Sequence, residues 1–427
     1  MIHASPAVIR ALALFIPLGI AAALLIARRP EQRRLTAAFL GTTWMLCAGL
    51  GLHEVARRFG FWNYDARGGI FDGLPVDLYL GWAVFWGALP ILAVRRPRLL
   101  PVVAIFLWAD LLLMPAAYPV VRLGHNWLIG EAFGLLIGLV PATLLARWTA
   151  ADSHLGLRSL MQCIAFGTLS LVAMPAVVLT TLGTSVGFLT HGPGWAVGLA
   201  LQLLALPAIV GLSAVQEFVT RGHGTPLPWD PPRTLVRTGA YAYLANPMQA
   251  SMTVLTAGVG ALLGSWPVAA AAAVALVFSI GLAAWQENGD LRARFGPAWA
   301  AYRREVRDWI PRWSPVRLDQ PATLYFSATC FACSGLARWL EQRHVIDLTL
   351  AQAERLSERP RRLTYVGADG YHEQGVNALA RALEHINVGF AFIGWTIRLP
   401  GISQIIQLFT DAVGGEPREL PAPLPTA

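Results

Sequence analysis

The chain reads as a mainly α, polytopic helical membrane protein of about nine spans followed by a small C-terminal α/β domain. Three observations predict this. Of 427 residues, 55% are hydrophobic and only 14% charged, with a mean hydropathy of +0.51, a composition of membrane rather than soluble globular chains. The apolar residues gather in runs of bilayer length, about 20 residues each. After Trp313 the runs stop, and charged residues return at the density of a soluble domain.

The runs lie at roughly 7–27, 35–53, 76–94, 99–117, 127–146, 159–181, 195–219, 247–265 and 267–285. The first carries Arg10 and is followed by "RRPEQRR" and further spans rather than by a small-residue cleavage site, so it reads as a membrane helix and not a leader. Orientation follows from arginine, because the chain contains no lysine and its net charge is +8. Arg28, Arg29, Arg33 and Arg34 flank one connection, and Arg95, Arg96 and Arg98 a second. Arg147 and Arg158 flank a third, and Arg221, Arg233 and Arg237 a fourth. These are alternate loops, which predicts a cytoplasmic-membrane protein with its N-terminus outside and its C-terminal domain in the cytoplasm. The opposite loop "TLGTSVGFLTHGPG" has no charge, whereas "RRFGFWNYDARGG" is an exception. A pI of about 9.8 then calls for anionic lipid headgroups as partners and no nucleic acid.

Residues 1–190 form the N-terminal helices, to which the sequence assigns no definite role, and 191–313 a second membrane domain. Residues 321–415 form the soluble domain, with a strand-like "TLYF" and helix-like "SGLARWLEQRHV" and "GVNALARALEHI". The Pro-rich end, 416–427, reads as disordered.

The second membrane domain carries the clearest motifs. A loop, "GHGTPLPWDPPRTLV", cannot continue a helix. It leads to "RTGAYAYLANPM", whose Asn246-Pro247 step sets the start of the next span. After two spans joined by a short turn comes "ENGDLRARFGPAWAAYRREVRDWIP". Two cytoplasmic segments thus bracket a helical hairpin at one membrane face and can close on each other at headgroup level. Taken singly, the bland readings stand too: Tyr241 and Tyr243 as interfacial belt aromatics, Asn246-Pro247 as a plain helix start, Glu287 as a solvated terminus, and Trp299 with Tyr302 as packing.

Over roughly 201–311 this constellation resembles the isoprenylcysteine carboxyl methyltransferase family, itself similar to membrane phospholipid methyltransferases. The matching stretches are "GTPLPWDPPRTLV", "TGAYAYLANPM", and Glu287, Leu291, Phe295-Gly296 and Tyr302 in order. The resemblance implies S-adenosylmethionine as cofactor, held by Arg233, Thr234, Leu235, Val236, Tyr241, Asn246, Pro247, Met248, Gln249 and Glu287, and methyl transfer to a lipid-embedded or isoprenoid-type acceptor. A sulfonium ligand with an amino-acid tail suits a carboxylate, unwound backbone donors and an aromatic face. The chain departs from the family at Ala245, Ala283 and Asn288, where it expects arginine, arginine and glutamate, and has Asn246 for the usual histidine. The lost arginines point to a less acidic acceptor, or to a fold kept without activity.

"TLYFSATCFAC" places Cys330 and Cys333 where a strand runs into a helix start, a thioredoxin-like redox arrangement in which the helix end favours a thiolate and the second cysteine can resolve a mixed disulfide. Residues 324–414 resemble the small thiol-disulfide oxidoreductase family called DCC, with "IRLPGISQIIQLFTDAVGG" as the later matching segment, although Ser327-Ala328 stand where that family has Asp-Gly. This implies a thiol partner, and an alternative overall function: a membrane-anchored thiol-disulfide oxidoreductase whose methyltransferase-like part is an anchor only. The structural alternative for the pair is two buried helix-start cysteines. No metal is expected, since His344, His372 and His385 lack paired spacing. Cys47 and Cys163 lie in spans as packing residues.

In the N-terminal third, "GFWNYDARGGIFDGLPVDLYLGW" carries a Trp-x-Tyr and a Leu-Pro-x-Asp that resemble membrane carotenoid cyclases, in which carboxyls at membrane depth protonate a polyene. Asp110 and Glu131 are such carboxyls, costly in a span and often functional. A plain accessory role for these helices, with Glu131 interfacial, is the other reading.

Overall fold

In the computed structural model, which describes residues 5–94, 98–183, 192–356 and 360–417 (without the side chains of 278, 282–288 and 355), seven helices are long and apolar enough to cross a membrane. They are α1 (Pro6–Arg28), α2 (Gln32–Phe59), α3 (Val76–Ala93), α4 (Leu99–Ala116), α5 (Trp127–Ala150), α6 (Leu155–Leu182) and α7 (Gly194–Thr220). Each covers one of the first seven apolar runs. The start of α1 follows capping chemistry: Ser5 accepts the Val8 amide ahead of Pro6 in the first turn.

The eighth and ninth runs give shorter helices. α8 (Pro247–Leu262) has 16 residues and α9 (Trp266–Phe278) has 13, so α8 rises only about 24 Å against a hydrocarbon core of about 30 Å. The turn between them shortens both, since Gly264 takes φ +65° and Trp266-Pro267 restarts the helix. α9 runs on through a π-turn, Ser279–Ala283, into α10 (Ala284–Glu305), which kinks at Gly296 with φ +50°. Arg95, Arg96, the loop at 184–191 and the tail from 418 lie outside the described residues, as do the side chains of Ala283, Glu287 and Asn288.

The chain divides into two compact units. Unit 1 is Met1–Val186 together with Thr225–Pro231. Its core is built where α1 and α2 pack on α3, and α2 on α5, and close approach depends on missing side chains. A Cβ on Gly81 would meet the Ala13 carbonyl oxygen at 2.0 Å, and one on Gly41 the Gly87 oxygen at 2.5 Å; small residues of this kind let helices pack tightly in lipid. Two short antiparallel pairs close the end opposite the arginine-bearing connections: β1 (Trp62–Tyr64) with β4 (Val121–Leu123), and β2 (Ile70–Phe71) with β3 (Leu74–Pro75). The 225–231 stretch joins this unit through Leu227, buried with Leu40 and Leu145, and through Asp230, 3.0 Å from the buried Arg158. Cys47 and Cys163 are half-buried in the helices, Cys47 donating to the Ala165 carbonyl.

Unit 2 is Gly187–Gly224 with Pro232–Ala427. The regions assigned from sequence to a membrane domain (191–313) and a soluble domain (321–415) therefore fall in one compact body. α7 packs on α8, and α8 on α9. The C-terminal part carries a four-stranded sheet of β5 (Ala322–Phe326), β6 (Leu348–Gln352), β7 (Thr364–Val366) and β8 (His372–Gln374), in the order β6-β5-β7-β8, parallel at β5/β6 and antiparallel elsewhere. Four helices accompany it: α11 (Phe331–Glu341), α12 (Val376–Leu383), α13 (Val388–Arg398) and α14 (Ile402–Thr410). One hydrophobic cluster runs from Tyr241 and Tyr243 through Trp299 and Tyr302 to Ala391 and Trp395 of α13. That shared core explains why no boundary falls at the change in composition near Trp313: burial continues across it.

Candidate functional site

The segment from Arg233 to Gln249 closes on the segment from Trp299 to Val316, as the bracketing of the hairpin predicts. The Ala245 amide donates to Arg307, Arg312 to Tyr243, and Val316 to Ala242, each at 2.9 Å between backbone atoms. The Tyr302 hydroxyl donates to the Tyr241 carbonyl at 2.9 Å, and the Asn246 side-chain amide to Asp308 at 2.8 Å. Arg303 holds the other Asp308 oxygen at 2.5 Å. Gly239 is required inside this loop, because it takes φ +59° and a Cβ there would lie 2.9 Å from the Glu217 carboxyl carbon.

The residues assigned to the cofactor have separate surroundings. Arg233 and Thr234 are exposed, and the Thr234 hydroxyl donates to the Arg221 carbonyl. Leu235 and Met248 pack against the shared core, where Val236 and Tyr241 are buried. Tyr241 lies 5.9 Å ring-to-ring from Phe218. Pro247 is buried at the start of α8, flanked by the half-buried Asn246 and Gln249. Glu287 cannot be placed against them, because its side chain is outside the described residues. Tyr243, read as a possible belt aromatic, is instead fully buried, edge-on to Trp395 at 5.6 Å and donating to the Glu384 carbonyl at 2.7 Å. Tyr302 and Trp299 pack as the bland reading has it, 5.7 Å apart.

Behind the loop lies a charge cluster that sequence reasoning missed. Glu217 of α7 is 0% exposed, Arg381 of α12 1% and Arg398 of α13 2%. Arg381 reaches Glu217 at 2.8 Å and Glu384 at 3.0 Å; Arg398 reaches Glu217 at 3.3 Å, Glu384 at 3.1 Å and Glu373 at 2.9 Å. Thr238 of the loop donates to Glu217. Burial pushes the Glu384 carboxyl up, against the pull of the two guanidiniums. These partners sit up to 181 residues apart in the chain, so no local spacing announces them.

His385, beside this cluster, is buried as the neutral ring. One nitrogen bonds the Ile346 carbonyl at 2.7 Å, the other the Tyr365 hydroxyl at 3.0 Å, and burial pulls its pKa from 6.5 down to about 4. Between those values the unfolded chain binds a proton that the folded one does not. Stability is therefore complete above pH 6.5 and falls toward pH 4, by up to about 3 kcal/mol at about 1.4 kcal/mol per unit. Thermal melts across that window are expected to lose slope in His385→Gln; an unchanged slope would assign the acid sensitivity elsewhere.

Cys330 is the N-cap of α11, and its sulfur accepts the Cys333 amide at 3.3 Å. Both thiols are half-buried. The strand, the helix start and the pair therefore stand where the sequence puts them. Among the described residues no group of three or more His, Cys, Asp or Glu side chains could hold a metal.

Unit 1 has its own constellation. Asp110 of α4 and Glu131 of α5, 1% and 5% exposed, face the same cavity. The Trp82 indole donates to Asp110 at 2.6 Å. The two carboxyls line a cavity of about 70 Å3 whose other walls include Trp62, Tyr64, Tyr79 and Trp86. Trp62 and Tyr64 are the ends of the Trp-x-Tyr on β1, and Leu74 of the Leu-Pro-x-Asp also lines it. Asp77 turns elsewhere, to Arg10 at 2.7 Å. Glu131 is thus buried within the protein.

A scan against protein-family models, a search of curated proteins and a search of solved structures each returned no match.

Proposed function

We propose that the chain is an integral-membrane S-adenosylmethionine-dependent methyltransferase acting on a lipid-embedded, isoprenoid-type acceptor, with a dithiol redox domain built into the same body. The observation that carries this reading is the bonding of the 239–246 loop to the 302–316 segment at the base of the α8–α9 hairpin. A site at that place can exclude water and align a lipid-borne nucleophile, which is most of what methyl transfer to a carboxylate or thiolate needs.

The residues fit the cofactor in kind. α8 begins at Pro247 with Asn246 unwound at φ −121°, ψ 58°, so first-turn amides of Met248 and Gln249 face out of the helix end, suited to the carboxylate of an amino-acid tail. Arg233, Thr234 and Leu235 would line the purine side with Val236 behind them, Tyr241 would form a wall, and Glu287 would take the ammonium group. The cofactor, when bound, supplies an electrophilic methyl group. Calorimetric titration of S-adenosylmethionine into the detergent-purified chain is expected to show binding that Glu287→Ala weakens at least ten-fold, about 1.4 kcal/mol. Absence of binding by the wild type would sink methyl transfer and leave the anchored thiol-disulfide oxidoreductase. The strand order β6-β5-β7-β8, parallel only at β5/β6, with Cys330 capping the helix after β5, supports the thioredoxin-like reading of that part.

A second reading concerns unit 1 alone. Asp110 and Glu131, both buried on the wall of one aromatic-lined cavity, are the proton donors of this reading. This favours acid-assisted chemistry on an isoprenoid double bond. Asp110→Asn and Glu131→Gln should each abolish deuterium incorporation from heavy water into a bound polyene while leaving the thermal transition in place. Incorporation that survives both changes would reduce the pair to a structural contact.

A further inference from the structure

At the other end of unit 1, the connections that the arginine count assigns to the cytoplasm converge on one concavity of about 850 Å3. Six arginines from three connections line it: Arg28 at the end of α1, Arg29 in the link, Arg33 and Arg34 at the start of α2, Arg98 before α4, and Arg147 near the end of α5. Topology alone requires arginines in these loops, not that they face a common space.

The charges are also incompletely neutralised. Arg28 donates to the carbonyls of Leu92 and Ala93 at 2.9 and 2.6 Å, and Arg34 to that of Ile91 at 2.9 Å. The contacts of Arg28 fix its guanidinium through neutral acceptors. Arg33 pairs with Asp152 at 2.9 Å, a carboxylate that Arg158 shares at 3.1 Å. Arg29, Arg98 and Arg147 have no carboxylate partner among the described residues. Glu31 is the one acidic side chain in the lining, while Leu24, Leu92 and Trp148 give it apolar wall.

We propose that this cleft binds a phosphate or diphosphate group, with Arg29, Arg98 and Arg147 as its charge-bearing ligands and Arg28 as fixed positive background. Guanidinium forks match phosphate oxygens two at a time, and several converging on one space favour a dianion over a carboxylate. The group can belong to a lipid, whose chains would leave past Leu24 and Leu92, or to a free anion.

The test is native mass spectrometry of the whole chain with dioleoyl phosphatidate against dioleoyl phosphatidylcholine, beside equilibrium dialysis with radiolabelled inorganic pyrophosphate. One phosphatidate should bind at least ten-fold more tightly than the choline lipid, and Arg98→Gln with Arg147→Gln should lower that preference at least ten-fold. The exposed pair Arg58 and Arg67, outside the cleft, changed together to Gln, should leave it unchanged. Phosphatidate without pyrophosphate binding assigns a lipid source, and pyrophosphate binding assigns a free anion. If neither binds above the choline lipid, or if the control pair loses as much as the cleft pair, the site does not exist. Should the Gln pair fail to fold, Arg98→Lys with Arg147→Lys keeps the charge without the fork; a loss of at least three-fold is then expected, and no loss overturns the proposal.

Discussion

Arg381→Met should destabilise unit 2 by about 3–5 kcal/mol, the usual cost of breaking one partner out of a buried ionic network. Three carboxylates, Glu217, Glu373 and Glu384, face two guanidiniums, Arg381 and Arg398. Removing Arg381 leaves three acids on one arginine in a buried place. Glu217→Gln leaves two acids on two arginines, and its amide can still accept from Thr238 and an arginine, so it should cost less than half as much. Thermal unfolding of both variants in the same detergent decides the matter. Equal losses would mean that packing, rather than charge balance, sets the stability of the cluster. Because Thr238 of the 233–249 segment also bonds Glu217, Arg381→Met should, under the methyltransferase proposal, weaken S-adenosylmethionine binding too.

Gly81→Leu should prevent unit 1 from assembling. Even the first added carbon would lie 2.0 Å from the Ala13 carbonyl oxygen and 2.8 Å from its carbon, backbone atoms that cannot rotate away. α1 would have to withdraw from α3, opening the interface that also holds Arg10 against Asp77. Overpacking a tight core costs about 1–3 kcal/mol for added methylenes, and a whole side chain against backbone should exceed that range. The readout is the yield of monodisperse, detergent-extracted protein, expected to fall at least ten-fold. Gly19→Leu is the control: it lies on α1 with nothing within 4 Å of its Cβ position, and should behave as wild type. If Gly81→Leu purifies as well as Gly19→Leu, the α1–α3 contact is not needed for assembly.

Much of the architecture is legible because membrane helices obey one dominant rule. With no water to satisfy the backbone, an apolar run of sufficient length must be helical, and the first seven runs are. Pro6 and Pro247 mark helix starts, and Cys330 caps the helix after its strand, since backbone constraints of this kind are local. The short eighth and ninth helices were not legible. Apolar composition continues through the Gly264 turn, and only backbone geometry ends the helix there.

The sites divide along the same line. Sequence order by itself determined the first seven long apolar helices, the strand-to-cysteine-pair arrangement, the Asn246-Pro247 start, and the identity of Asp110 and Glu131 as carboxyls inside those helices. Each rests on neighbours within about one helical turn or on composition averaged over about 20 residues. Only the tertiary structure brought Asp110 to Trp82 and to one cavity with Glu131, set Glu217 between Arg381 and Arg398, and buried Tyr243 against Trp395. It also converted three of the arginine-bearing connections, read as a topological signal, into the lining of one cleft. The physical reason is common to all four: a buried charge or ring is satisfied by whatever the fold carries to it, and those partners come from distant segments whose spacing in the chain holds no trace of the contact.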